Sequence, residues 1–195
     1  MIKYVPLGEV CEILNGYAFE SENYVDSGAR VIRITNVQKG RIVDSNPKFY
    51  PLSGEYSSYA LREGDVLMSL TGNVGRVGFL EKDLLPTYLN QRVACLRVVA
   101  PDVLLKYIYY CLNNDHFETD CISASRGIAQ KNMSTKWLAD YFVPIADMST
   151  QRIIVGFFDR LSQLIADRQN QLAKIDLMVK SRFVTTDFQW QEVVA

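Results

Sequence analysis

Histidine is nearly missing from this chain: His116 is the one copy in 195 residues. It sits in a polar stretch and reads as a surface residue rather than a general base or metal ligand. No CxxC pair occurs. Cys11, Cys95, Cys111 and Cys121 lie far apart inside largely apolar patterns, so no zinc site is expected and buried reduced thiols are. No run of 18 apolar residues is present, so no membrane span is expected. The N-terminal MIKYVPLGEV has no apolar h-region, and a cytoplasmic location follows as the expectation. A basic excess is missing too, with a net charge of −1 and a pI near 5.9. That argues against an autonomous nucleic-acid binder and leaves room for one that works with a basic partner.

Catalytic and cofactor motifs are equally scarce. There is no phosphate-binding Gly-Lys-Ser/Thr loop. The glycines of 72–78 have the wrong spacing for a dinucleotide fingerprint, and the residues after them read as strand. Asn46-Pro47-Lys48-Phe49 has a lysine where an amino-methyltransferase motif needs a second proline, and it reads as a loop. Pro101-Asp102 lacks the following acid-x-lysine that a nuclease of the Asp-Glu-Lys type needs. Glu63 and Asp65 precede a strand and read as solvated turn carboxylates. No catalytic residue, no metal and no cofactor is expected.

Proline is also absent from Ser149 to Phe183, where Gly156 is the one glycine. Here Ile154, Phe158, Leu161, Ile165, Arg168, Leu172, Ile175, Val179 and Arg182 recur at alternating spacings of four and three. That is a heptad seam with two arginines in it. Phe157, Leu164 and Met178 widen the stripe, which suits a helix with more than one partner. Such a helix is roughly 50 Å long at ~1.5 Å per residue, too long to serve as the core helix of so small a domain. It is expected to dimerise through Ile154, Phe158, Leu161, Ile165, Leu172, Ile175 and Val179.

The preceding part is mixed. Val31–Ile34, the turn 35–40 and Arg41–Val43 read as strand, turn, strand. Asp65–Leu70 reads as a strand, Thr71–Gly75 as a glycine turn and Arg76–Leu80 as the returning strand. Tyr88–Val99 reads as one further strand. Pro101-Asp102 reads as the start of a helix carrying Leu104, Leu105, Ile108, Cys111 and Leu112. Ser134 or Thr135 is placed to cap a short helix through Trp137, Leu138 and Tyr141, and Pro144 closes the domain. The fold class expected is α+β, a β-rich domain over residues 1–146, one long coiled-coil helix over 147–184 and a tail over 185–195.

The charge pattern is more telling than the total. No acidic residue lies between Asp120 and Asp140, while Arg126, Lys131 and Lys136 do. The 125–132 segment is therefore a basic, amide-rich loop. Thr71-Gly72-Asn73 and Asn90-Gln91-Arg92 share its chemistry. Asn and Gln can bond adenine, and Arg guanine, in a bidentate way, while glycine-turn amides and lysines suit phosphates. The candidate DNA-contacting set is Thr71, Asn73, Arg76, Asn90, Gln91, Arg92, Arg126, Gln130, Lys131 and Asn132. Polar loops contain such residues anyway, so part of the set is expected to be structural, and Arg126 and Lys131 are the stronger candidates for DNA contact.

These residues and their order resemble the specificity subunit of type I restriction-modification systems. The matching segments are Leu7-Gly8-Glu9-Val10 leading to Asn15-Gly16-Tyr17-Ala18-Phe19, then Val31-Ile32-Arg33, and Leu61-x-x-Gly64-Asp65-Val66-Leu67 before Thr71-Gly72-x-x-Gly75. Asn90-Gln91-Arg92-Val93-Ala94, Gly127-x-x-Gln130-x-Asn132-Met133-Ser134, and Val143-Pro144-Ile145 ahead of Gln151 complete the series. The resemblance implies a non-catalytic, DNA-binding target-recognition domain that positions an adenine methyltransferase subunit, and through it a restriction subunit, on a bipartite double-stranded site. That family usually carries two recognition domains and two helices, and this chain shows one of each. Its acid just before the glutamine is Thr150 here. Two expectations follow, a natural half-subunit or one unit of a longer or rearranged gene; a half-subunit is expected to form a homodimer that reads an inverted repeat. Two other classes remain open on the sequence: a coiled-coil adaptor without DNA specificity, and a stand-alone DNA-modifying enzyme.

Overall fold

The computed structural model describes residues 2–125 and 133–193, with side chains through Arg182. The chain divides into two units, residues 1–152 and 153–195. The first unit holds eleven short strands, four α-helices and three 3-10 turns among its described residues, before the long helix begins.

Its central sheet is four-stranded, in the order β2 (Cys11–Asn15), β10 (Val93–Val98), β7 (Val66–Ser69), β8 (Val77–Phe79). All its pairings are antiparallel. All four residues of β7 are buried, which explains its unbroken Val-Leu-Met run in place of an alternating one. A second sheet has the order β6 (Phe49–Tyr50), β3 (Ala29–Ile32), β9 (Thr87–Leu89). Here β3 and β9 run parallel, with Val31 opposite Tyr88 and Ile32 opposite Leu89. Successive side chains point to opposite faces, so this pair divides two cores. Val31 and Tyr88 join Phe19, Ala29 and Tyr50 in an aromatic cluster. Ile32 and Leu89 join Leu67, Leu80, Val93 and Cys95 in an aliphatic one.

Three local expectations differ from the fold. The stretch from Tyr88 to Val99 is two strands rather than one. The chain leaves the second sheet at Leu89 and enters the first at Val93, and Asn90-Gln91-Arg92 makes the step, closed by the Val93 amide donating to the Asn90 carbonyl at 2.9 Å. The hairpin of residues 31–43 is displaced. Its strands are β4 (Val37–Gln38) and β5 (Arg41–Ile42), because β3 is already paired on both sides. Gly40, at φ 79°, makes the turn and its amide donates to the Val77 carbonyl on β8. Finally, Pro101-Asp102 is a turn, and helix α2 begins at Leu105 and ends at Leu112.

Asp65 is not a solvated carboxylate. It is 5% exposed and takes two hydrogen bonds from Arg97, at 2.9 and 2.7 Å, and one from the Arg62 amide at 2.9 Å. The thiols are free. Burial pushes Cys11 and Cys121 up to about 12 and Cys111 up to about 11, which leaves them inert at neutral pH. His116 is a surface residue, 3.1 Å from Asp120 on the same helix.

Strand β1 (Lys3–Pro6) pairs with β11 (Phe142–Ile145), so the start of the chain closes against its connection to the long helix. Between β1 and β2 lies a single turn, α1 (Leu7–Val10), and α3 spans Asp115–Ala124. Ser134 caps α4 (Thr135–Asp140), its hydroxyl accepting from the Trp137 amide at 3.1 Å. Helix α5 runs Met148–Val193, so its backbone continues past Phe183. Asp147 caps it, accepting from the Thr150 amide at 3.0 Å and the Thr150 hydroxyl at 2.8 Å and also from the Ser149 hydroxyl. Those donors hold the Asp147 carboxyl well below the usual carboxylate range. The cap thus uses an acid three residues ahead of Thr150. No helix among the described residues is long and apolar enough to cross a membrane.

Candidate nucleic-acid interface

The crossing between the two sheets positions the polar cluster. The Gln91 amide donates to the Tyr17 carbonyl at 2.8 Å, and the Tyr17 amide to the Leu89 carbonyl at 2.9 Å. Gly16 lies so close that a Cβ there would stand 2.2 Å from the Asn90 carbonyl group. No side chain fits, which explains the glycine beside Asn15. Gly16→Ala is expected to cost about 2 kcal/mol, or roughly 4–8 °C of melting temperature. Thermal unfolding followed by circular dichroism checks this, and an unchanged midpoint would contradict the packing described.

The Leu70 amide at the end of β7 donates to the Arg92 carbonyl at 3.0 Å, and the Leu70 carbonyl accepts from the Met133 amide at 2.9 Å. These two bonds draw three distant segments around one polar concavity of about 400 Å³. Thr71, Gln91 and Arg92 line it with Asn15, Leu70, Met133, Ser134 and Thr135. Arg92 is the ionised group among these described lining residues. An amide, a guanidinium and hydroxyls in one recess are the donor and acceptor types that read base edges and hold phosphates.

The other candidates separate from this recess. Arg76 donates to Gln38 Oε1 at 2.7 Å and stands 3.6 Å from Glu118, so it ties the β7–β8 turn to the β4–β5 hairpin and α3. Asn73 is exposed at the tip of that turn, and its carbonyl accepts from the Ser69 hydroxyl. Gly75, at φ 88°, packs against Cys121. Asn90 contributes its backbone to the sheet crossing. Arg126, Gln130, Lys131 and Asn132 lie outside the described residues. Asn15, Ser134 and Thr135 were not among the sequence candidates. Asn15 and Ser134 stand in motif segments and Thr135 follows one, and the pairing of β2 with β10 is what brings Asn15 opposite Ala94. No cluster of three or more potential metal ligands occurs among the described residues.

The second unit is helix α5 from Ile153 onward. Along its seam Phe158, Leu161, Ile165, Leu172, Ile175 and Val179 are 40–62% exposed, while Ile154 is half-buried. Phe157, Leu164, Leu177 and Met178 are exposed as well.

Comparison with known proteins places this architecture. Residues 2–176 match the family model described as the type I restriction modification DNA specificity domain. The chain is similar to the type I restriction enzyme EcoAI specificity subunit of Escherichia coli, 29% identical over 163 residues, covering 80% of this chain and 28% of that protein. It is also similar to the MjaVIII specificity subunit of Methanocaldococcus jannaschii, 22% identical over 178 residues, covering 88% and 42% respectively. The chain thus spans less than half the length of these curated relatives. Among solved structures, one concerned with complex assembly and conformational transition of the type I R-M system aligns with a TM-score of 0.68 at 22% identity, over 92% of this chain and 43% of that one. The HsdS subunit from Thermoanaerobacter tengcongensis aligns with a TM-score of 0.64 at 23% identity, over 85% and 38%. The mixed sheet domain followed by a long helix is therefore a shared fold, and with nine-tenths of its length inside the family model, the chain belongs to the type I restriction-modification DNA specificity domain family.

Proposed function

We propose that this chain is the non-catalytic recognition component of a type I restriction-modification complex, directing a partner adenine methyltransferase, and through it a restriction subunit, to a bipartite double-stranded DNA site. Residues 1–146 form the target-recognition domain and α5 the pairing helix, with the seam on its part up to Val179; the helix backbone runs on to Val193, through most of the stretch expected to be a tail. The observation that carries this reading is the recess where Thr71, Gln91 and Arg92 meet on a domain of the specificity family. Asn73, exposed at the tip of the β7–β8 turn, and, by sequence, the basic segment with Arg126, Gln130, Lys131 and Asn132 share the same residue chemistry. Asn90 and Arg76 support the scaffold.

One recognition domain and one helix make half of a two-part reader. Two copies paired through Ile154, Phe158, Leu161, Ile165, Leu172, Ile175 and Val179 would read two half-sites related by a two-fold axis. The exposed seam supports this, since a stripe of that size is a liability on a monomer.

Methyl transfer from labelled S-adenosylmethionine tests the proposal. The chain alone should transfer none, and the chain with its partner methyltransferase should modify adenine at one defined sequence. Transfer by the chain alone, or transfer by the pair without sequence preference, would overturn it. Gln91→Ala should cost ~1–3 kcal/mol at one base position if its amide reads an edge. Competition binding of the variant complex to single-substitution duplexes measures this, and an unaltered preference at every position removes Gln91 from the reading set.

A further inference from the structure

Between Ser27 and Gly54 stand Arg30, Arg33, Lys39, Arg41 and Lys48 against one acid, Asp44. That acid is already engaged. Arg30 Nε stands 2.9 Å from it, and Asn36 Nδ2 donates to it at 3.2 Å. Lys39 finds its carboxylate elsewhere, at Asp115 on α3. Arg76 stands 3.6 Å from Glu118 and Arg97 2.7 Å from Asp65. Arg33 differs from these. It is half-buried, yet no carboxylate pairs with it among the described residues. Its Nη2 donates to the Asn46 carbonyl at 2.7 Å, and its Nε is sealed from water without a hydrogen-bond partner. The Nε atoms of Arg30 and Arg76 also lack an aligned hydrogen bond, but each has its carboxylate beside it. A half-buried cation with no counter-charge is an arrangement that a folded domain ordinarily avoids.

The main chain at this arginine is held firmly. The Arg33 amide donates to Asn36 Oδ1 at 2.9 Å, and the Asn36 amide donates back to the Arg33 carbonyl at 2.9 Å. Asn36 is itself 3% exposed. Two contacts place this turn among the segments of the recess. The Asn90 amide donates to the Ile32 carbonyl at 3.3 Å, so Arg33 leaves β3 beside the sheet crossing that carries Gln91. On the other side, a Cβ on Gly72 would stand 3.7 Å from Ile34 Cδ1, so the turn abuts Thr71-Gly72.

We propose that Arg33 is a phosphate anchor: its guanidinium, braced on the Asn46 carbonyl, takes a backbone phosphate of the duplex whose bases the recess reads. This rests on the DNA reading proposed above. A phosphodiester carries the missing negative charge and presents two oxygens to a planar fork of donors. A base edge supplies no such charge. The contact strengthens binding to every sequence and fixes the lie of the strand without adding base preference.

The test compares Arg33→Gln and Arg33→Lys with the wild-type chain, each in complex with the partner methyltransferase, binding cognate and scrambled duplexes over a range of salt. For Arg33→Gln the slope of log K against log salt should fall by about one, and affinity at ~0.1 M salt by about tenfold on both duplexes alike. Arg33→Lys, which keeps the charge, should restore the slope. An unchanged slope for Arg33→Gln, with or without a lower melting temperature, makes Arg33 a brace for the 43–48 loop and overturns the proposal. So does a loss confined to one base position, or a loss of methyltransferase binding with the DNA slope intact. If Arg33→Gln fails to fold, phenylglyoxal modification of the wild-type complex decides. Duplex should protect Arg33, and equal modification with and without duplex overturns the proposal. A wild-type complex that does not distinguish cognate from scrambled duplex refutes the DNA reading itself, and the proposal with it.

Discussion

Ile165→Asp should turn a dimer into a monomer. On a size-exclusion column with light scattering, the wild-type chain is expected at about twice its 22.2 kDa mass, and the variant at its single mass. Ile165 sits mid-seam and is 50% exposed on the lone helix, so the substitution scarcely disturbs the monomer. In the dimer it buries two unpaired carboxylates, one from each copy, in an apolar stripe. That should cost at least about 4 kcal/mol, a thousandfold in Kd. The rest of the seam, Leu161, Leu172 and Ile175, is too spread out to compensate. A wild-type chain that is monomeric at tens of micromolar, roughly a binding energy weaker than −6 kcal/mol, would remove self-pairing from the account.

Asp65→Ala should cause the largest loss of domain stability. The carboxylate is nearly sealed from water and accepts from Nε and Nη2 of Arg97 and from the Arg62 amide. Deleting it leaves a guanidinium and a main-chain amide without their acceptor. Removing one partner of a buried pair costs about 3–5 kcal/mol. The Arg97 side chain retains 22% exposure and can draw some solvent, so the low end applies: about 3 kcal/mol, or roughly 6–12 °C in melting temperature. Arg97→Met in the same chain should restore part of this, because the stranded charge goes with it. Thermal unfolding of the two variants decides the matter. If Asp65→Ala melts like the wild type, the pair contributes nothing measurable. If the double variant is no more stable than the single one, unpaired charge is not the cause of the loss.

These two sites also show what the sequence could and could not disclose. The seam of α5 is a local signal, repeated over many turns without proline, and its helix is legible at once. The β7–β8 hairpin is legible for the same reason, as is the Ser134 cap. Asp65 is not. Two carboxylates in a turn look solvated until Arg97, on a neighbouring strand, is seen to reach one of them. The break at Asn90-Gln91-Arg92 shows in the sequence only as three polar residues between apolar runs, which does not reveal that the chain changes sheet there. The interruption comes from a sheet crossing that depends on Gly16, far back in the chain. The hairpin of 37–42 moved because β3 had already found β6 and β9.

The same division holds at the recess. Thr71, Gln91 and Arg92 stood out by residue type, and the structure places them around one cavity. Arg76 stood out equally and is engaged by Gln38 and Glu118; its chemistry suits phosphate and carboxylate alike, so type alone could not decide between them. Asn15 was passed over because nothing near it in sequence marks it as part of a polar cluster. Gln151 had a motif position but no visible reason for its amide. Its three main-chain partners, the Asp102 and Ala146 carbonyls and the Leu104 amide, supply that reason.

The most direct measurement is a long-read methylation map of cells with and without this gene. If the chain directs a methyltransferase, one adenine-methylated sequence, an inverted repeat with a fixed spacer, should be present in the first map and gone from the second. Two maps with the same methylated sequences would contradict a role in DNA specificity.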